Sequence, residues 1–113
     1  MGKGCCPDRP IVKDELCANW EATCNADYNL LWEADNDVIK PFGTVTILVE
    51  NSCDGVEIFV NGTASGNKIA SITEGESFSK TISNLRSVYV RCLGGTGNIC
   101  CGKLCMTVHY KRC

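Results

Sequence analysis

The chain has 113 residues and a formal charge of −2, from 11 basic and 13 acidic side chains. At this length a single domain is expected, which excludes a two-domain enzyme. The near balance of charge gives no basic surface for nucleic acid or an anionic membrane, and no apolar run is long enough to span a membrane. Ten cysteines are several times the usual share for a globular domain.

Residues 1–10 differ from the rest of the chain. They contain two prolines, which favour an extended backbone, and no apolar segment of the kind that a secretory signal peptide needs. We therefore expect 1–10 to form an arm and 11–113 to form the folded domain. Because adjacent side chains of an extended chain point to opposite sides, Cys5 and Cys6 on this arm can bond to two separate targets.

After the arm, apolar and polar residues alternate over short runs that end at turn residues, which is typical of β-strands. In chain order the predicted strands are 16–23, 28–34, 45–50, 56–60, 69–73, 78–82, 87–92 and 104–111. The segment around 28–34 would also suit a short helix, because acidic residues follow it. Asn61-Gly62 predicts a tight primed turn. About eight short strands favour an antiparallel two-sheet sandwich, with either jelly-roll or immunoglobulin-like topology.

Metal-binding and catalytic interpretations fail for lack of suitably spaced residues. The Cys-x2-Cys pairs typical of structural zinc are absent, and the nearest spacing is Cys101-x3-Cys105. The only histidine, His109, follows Cys105 by four strand positions, or about 13 Å, too far to activate that thiol directly. We interpret it as a solvated strand histidine. The sequence predicts no enzyme activity, no metal and no cofactor.

The position of Cys105 in the last predicted strand suggests a bond to another chain. Alternation directs Leu104 and Met106 inward and Cys105 outward, and Cys17 is oriented likewise if its neighbours face the core. The alternative is that all ten cysteines form five bridges within one chain, as in small secreted scaffolds. That alternative describes a secreted, disulfide-stapled binding or inhibitor module.

Three motifs together resemble the endospore appendage pilins of Bacillus-type bacteria. They are Cys5-Cys6 on a short arm, Cys17-Ala18-Asn19-Trp20 after Ile11-Val12-Lys13-Asp14, and Cys105-Met106-Thr107-Val108-His109-Tyr110 near the C-terminus. The resemblance spans both ends of the chain. It implies an all-β, eight-stranded antiparallel jelly-roll sandwich with an N-terminal connector arm. Such subunits assemble with copies of themselves into fibres on the spore surface, with a role in spore adhesion or aggregation.

The resemblance also implies roles for four cysteines. Cys5 and Cys6 would be the connector cysteines, and Cys17 and Cys105 would be their acceptors on neighbouring subunits. Subunits would pair laterally through sheet edges, as closed rings or a continuous helix, with a slight preference for stacked rings. The protein would be made without a signal peptide in the mother cell and exposed when that cell lyses. Six cysteines receive no role: Cys24, Cys53, Cys92, Cys100, Cys101 and Cys113.

Overall fold

The computed structural model describes residues 11–94 and 98–112, which form a β-sandwich. Its strands are β1 (Val12–Thr23), β2 (Tyr28–Glu33), β3 (Val38–Asn51), β4 (Val56–Val60), β5 (Lys68–Ile72), β6 (Ser77–Ile82), β7 (Ser87–Cys92) and β8 (Ile99–Arg112). One turn of 3-10 helix, Ser65–Asn67, precedes β5. No helix within these described ranges could reach across a membrane. The prediction of eight strands is confirmed, and 28–34 is largely strand.

The strands form two four-stranded antiparallel sheets, ordered β1-β8-β3-β6 and β2-β7-β4-β5. The pairing is nested, since β1 pairs with β8, β2 with β7, β3 with β6 and β4 with β5. Such nesting is what results when one long hairpin is rolled up, and it is the order of an eight-stranded jelly roll. The strand order therefore decides between the two topologies that alternation leaves open.

The hydrophobic core lies between the two sheets and follows the predicted alternation. Ile47 and Ile58, from facing sheets, are completely buried. In β8 the side chains of Leu104, Met106 and Val108 are buried, whereas the residues between them are half-buried or exposed. The predicted inward face of the last strand is thereby confirmed.

The two longest strands extend beyond their predicted bounds. β3 begins at Val38 and β8 at Ile99, and their pairing shifts register between Ile39 and Phe42 and again between Val49 and Asn51. A β-bulge of this kind adds a residue to one strand and breaks strict alternation. Alternation in the sequence therefore predicts only the regular part of β3 and of β8, and not their irregular ends.

Two glycines permit the close approach of β3 and β8 near these irregularities. A Cβ atom at Gly43 would lie 1.9 Å from the carbonyl oxygen of Thr107, and one at Gly102 would lie 1.9 Å from that of Leu48. Both obstacles are backbone atoms, which cannot rotate away as a flexible side chain could. Glycine is required at both positions because any side chain would overlap the neighbouring strand.

The predicted tight turn at Asn61-Gly62 is wrong in length. Asn61 does adopt a positive φ of 63°, but the chain continues through residues 63–67 before β5 begins. The Asn61 side chain instead bonds to the connection between β6 and β7. Its Nδ2 donates to the Asn84 carbonyl at 2.5 Å, and its Oδ1 accepts from the backbone N–H groups of Arg86 and Ser87 at 2.7 and 3.2 Å.

Replacement of Asn61 with alanine should lower the free energy of unfolding by about 2–3 kcal/mol. The substitution removes three side-chain hydrogen bonds, each worth about 1 kcal/mol, and leaves a residue with a Cβ in the left-handed region. Urea unfolding checks the value. Asn61→Gly is the matched control, because it loses the same bonds without the backbone penalty and should cost less than Asn61→Ala.

Candidate functional site

Six cysteines of the described chain form three disulfides, and two of these are structural. Cys24–Cys53 joins the end of β1 to the connection between β3 and β4, and Cys92–Cys100 joins β7 in one sheet to β8 in the other. Cys24, Cys92 and Cys100 are completely buried. These bridges staple one end of the sandwich and account for four of the cysteines without a predicted role.

Loss of the Cys24–Cys53 bridge should destabilise the domain by about 3 kcal/mol, because the unfolded chain regains the freedom of a loop with sequence separation 29. For a domain of this size that corresponds to a decrease in Tm of about 10 °C. Calorimetry of the Cys24→Ala/Cys53→Ala variant measures it. Cys101→Ala is the control, because Cys101 forms no bridge in the part of the chain that the structure describes. Equal decreases in the two variants would contradict the assignment.

The third disulfide, Cys17–Cys105, lies on the outer face of the sheet that contains β1 and β8. The two residues are directly opposite in register, with Cα atoms 4.1 Å apart. Cys17 is exposed and Cys105 is half-buried. The outward orientation predicted for both is therefore confirmed. The structure adds what alternation alone does not reveal: the two predicted acceptors are bonded to each other within one chain.

The arm side of the predicted cross-link lies outside the described residues. Cys5 and Cys6 belong to 1–10, and Cys113 ends the chain after β8. The described domain begins at Ile11, directly before β1.

A side-chain hydrogen bond holds the start of β1 against the end of β8. Tyr110 Oη donates it to Asp14 Oδ2 at 2.5 Å.

A shallow groove of about 310 Å³ adjoins the exposed disulfide. Besides the two cysteines, its lining comprises Glu15, Leu16, Thr44, Thr46, Met106 and Thr107. The threonine hydroxyls on β3 are engaged with β6, Thr44 with Thr81 at 3.0 Å and Thr46 with Ser79 at 2.8 Å. Small polar side chains thus form the floor of the groove beside Cys105 and leave room for another chain.

One ion pair contributes charge at the rim of this groove. Lys13 Nζ lies 2.9 Å from Glu15 Oε1, and the hydrogen bond and charge of Lys13 hold the pKa of the Glu15 carboxyl below its ordinary value. Glu15 is therefore ionised at neutral pH, and its charge is matched by the adjacent ammonium. Because the two charges compensate each other, this ion pair gives the groove no preference for an acidic or a basic partner.

The adjacent residues Cys100 and Cys101 face opposite sides of the sheet. Cys100 is buried and bonded to Cys92, whereas Cys101 is half-buried on the outer face and forms no bridge within the described residues. It adjoins a second depression, of about 420 Å³, that Glu21 and Lys103 help to line. Alternation along a strand explains this difference between neighbours.

His109 shares the outer face of β8 with Cys105 but is not the solvated side chain that was expected. It is half-buried and stacks on Phe42, with ring centroids 5.0 Å apart and an interplanar angle of 13°. Its Nδ1 is buried without a hydrogen-bond partner in the described part of the chain. Within residues 11–94 and 98–112 no three His, Cys, Asp or Glu side chains are placed to hold a metal ion together.

Comparison with known proteins identifies a matching family and a solved structure with a similar fold. A model of the family Enas, endospore appendages, matches residues 3–112, whereas no curated protein matches. A solved structure described by the words "Bacillus endospore appendages form a novel family of disulfide-linked pili" is 24% identical, with a TM-score of 0.71 and complete coverage of both chains. At this identity the likeness shows the fold alone. Because the family model spans nearly the whole sequence, the chain belongs to the endospore appendage family.

Proposed function

We propose that this protein is the subunit of a self-assembling fibre on the endospore surface, in which disulfides join neighbouring subunits. Membership of the endospore appendage family supports the fibre, and the structurally similar protein is described as forming disulfide-linked pili. The observation that carries the proposal is the exposed cysteine pair of β1 and β8 beside an open groove. Sulfur placed on an outer sheet face is accessible to another chain.

In this proposal residues 1–10 are the connector and 11–113 are the jelly-roll domain. Cys5 and Cys6 of one subunit bond to Cys17 and Cys105 of its neighbours. From Ile11 to Cys6 an extended chain reaches about 17 Å, so the acceptor face of a neighbour must lie close to the start of β1. A connector of this length can join two subunits only if they are packed closely against each other.

Lateral contacts in the fibre would come from the free edges of the two sheets. Within the described chain β1 and β6 border one sheet, and β2 and β5 border the other. An edge strand offers unpaired backbone groups to another chain, and β2 also exposes Tyr28 and Leu30 to 43% and 49%. Contacts of this head-to-tail type either close into a ring or continue as a helix.

Electron microscopy of the oxidised, full-length protein tests the assembly. We expect rings or fibres in negative stain, together with high-mass species in light scattering. A protein that stays monomeric by both measurements would overturn the proposal. Immunogold labelling of sporulating cells tests the location separately, and spores that lack the protein should adhere or aggregate less if the fibre serves that role.

Three bridges within one chain are also what a secreted, disulfide-stapled binding module would contain. Peptide mass mapping of disulfides separates the two functions. The fibre requires peptides that join Cys5 or Cys6 to Cys17 or Cys105 of another chain, which mixed isotope-labelled and unlabelled protein would reveal. A stapled module would give only bridges within single chains.

A further inference from the structure

We propose that the Cys17–Cys105 disulfide is the electrophile of fibre assembly. An arm cysteine of a second copy attacks this bridge, so that the first covalent bond between two subunits forms by thiol–disulfide exchange. The second bond, between the released Cys17 thiol and an arm thiol, then forms with molecular oxygen as the two-electron oxidant. The inference rests on the proposed function, because it takes Cys5 or Cys6 as the nucleophile.

Exposure distinguishes this bridge from the other two in the described chain. The rate of exchange depends on access to the attacked sulfur. Cys24, Cys92 and Cys100 are completely buried, and Cys53 is half-buried. Cys105, the attacked residue, is also half-buried, but it lines an open groove and its partner Cys17 is exposed on an edge strand. An incoming thiolate can therefore reach the Cys17–Cys105 bridge without any opening of the core.

The groove provides a direction of approach. The bridge crosses from β1 to β8, and on the far side of β8 the small Thr46 of β3 lies opposite Cys105. A sulfur that enters the groove above Thr46 meets the sulfur of Cys105, with Cys17 on the opposite side as the leaving group. Because β1 is the outermost strand of its sheet in the described chain, Cys17 can move away into solvent.

The occupant of the groove is the arm of a second copy, and the reach of the arm supports this assignment. Cys17 lies six residues along β1 from Ile11, or about 20 Å, whereas Cys6 reaches at most about 17 Å from Ile11. On its own chain Cys6 therefore falls short of Cys17, and Cys5, one residue further out, could meet it only by running straight back at full extension, with no residue left for the turn. A neighbour presents its groove without that restriction.

The exchange step is balanced without an oxidant. The arm thiolate donates an electron pair to the sulfur of Cys105, and a new bond forms between the two subunits. The bond between Cys105 and Cys17 breaks, and Cys17 leaves as a thiolate that takes up the proton released by the arm thiol. One disulfide replaces another, so the number of free thiols stays constant.

Two variants of the full chain, both with Cys101→Ser and Cys113→Ser, test the step. The donor carries Cys17→Ser and Cys105→Ser and retains the arm thiols, which are reduced before use. The acceptor carries Cys5→Ser and Cys6→Ser, retains the bridge, and bears an affinity tag. Circular dichroism confirms that each is folded. The two are mixed without oxygen or any other oxidant, quenched with an alkylating agent and separated on a non-reducing gel.

We expect a covalent heterodimer, an unchanged total thiol titre, and new alkylation at Cys17 of the acceptor. An acceptor that also lacks the bridge, through Cys17→Ser and Cys105→Ser, should lose the heterodimer completely. If the heterodimer appears only after the bridge is reduced and the mixture is exposed to air, the exchange step is overturned, but the proposed connector role of Cys5 and Cys6 is supported. If it appears in neither condition, both proposals are overturned.

Discussion

Replacement of Cys5 and Cys6 by serine is expected to convert a fibre that resists denaturant into one that dissociates completely. In the proposed fibre these residues supply every covalent link from one subunit to the next. Without them subunits are held by edge pairing and side-chain burial, and such contacts are lost when denaturant unfolds the domain. Fibres of the parent chain should persist in detergent until a reductant is added.

Non-reducing gel electrophoresis after heating in detergent measures this difference. The parent should give a ladder or material too large to enter the gel, and the double variant should give monomer. Cys101→Ser is the matched control, since it removes an unbridged thiol of the described domain and should leave the ladder intact. A ladder that survives loss of both arm cysteines would place the links elsewhere.

The second large effect is expected at Gly102, in the interior of β8. In Gly102→Ala the new Cβ would lie 1.9 Å from the Leu48 carbonyl oxygen and 3.1 Å from the Trp20 ring. The overlap with Leu48 is with backbone of β3, so β3 and β8 must separate there, in the centre of the sheet. We expect a loss of more than about 4 kcal/mol, in the range reserved for severe core damage, or failure to fold.

Denaturant unfolding, or soluble yield where folding fails, checks the Gly102 prediction. Gly66→Ala is the control, because no atom lies within 4 Å of the added Cβ and the position is exposed. That change should stay within about 0.5 kcal/mol of the parent. Similar stability for the two variants would show that β3 and β8 can separate locally at little cost.

Alternation along the chain was sufficient to predict the number of strands and the orientation of Cys105. It did not predict the full length of β3, because Pro41 and Gly43 interrupt the apolar pattern and the bulge between Ile39 and Phe42 shifts the register. A local alternation of apolar and polar residues predicts which face of the sheet a side chain lies on. It does not predict how far two strands that are distant in sequence remain paired.

The cysteine pairing shows the same limit. Cys17 and Cys105 are 88 residues apart, and only the register of β1 against β8 places them opposite each other. Each was assigned a partner on another chain from family resemblance, and nothing in the local pattern could indicate that they meet. Asn61 is similar: its contacts lie with residues 84–87, so a hairpin was predicted where the side chain instead secures another loop.

The position of the exposed cysteine pair near the arm has a mechanical consequence for the proposed fibre. Tension that enters a subunit at Cys6 and leaves at Cys17 passes along only the first strand, and tension that leaves at Cys105 crosses the ladder of twelve paired residues between β1 and β8. Most of the jelly roll lies outside both paths. Stretching should therefore load the connectors and one strand pair, and the fibre should lengthen little before a covalent bond fails.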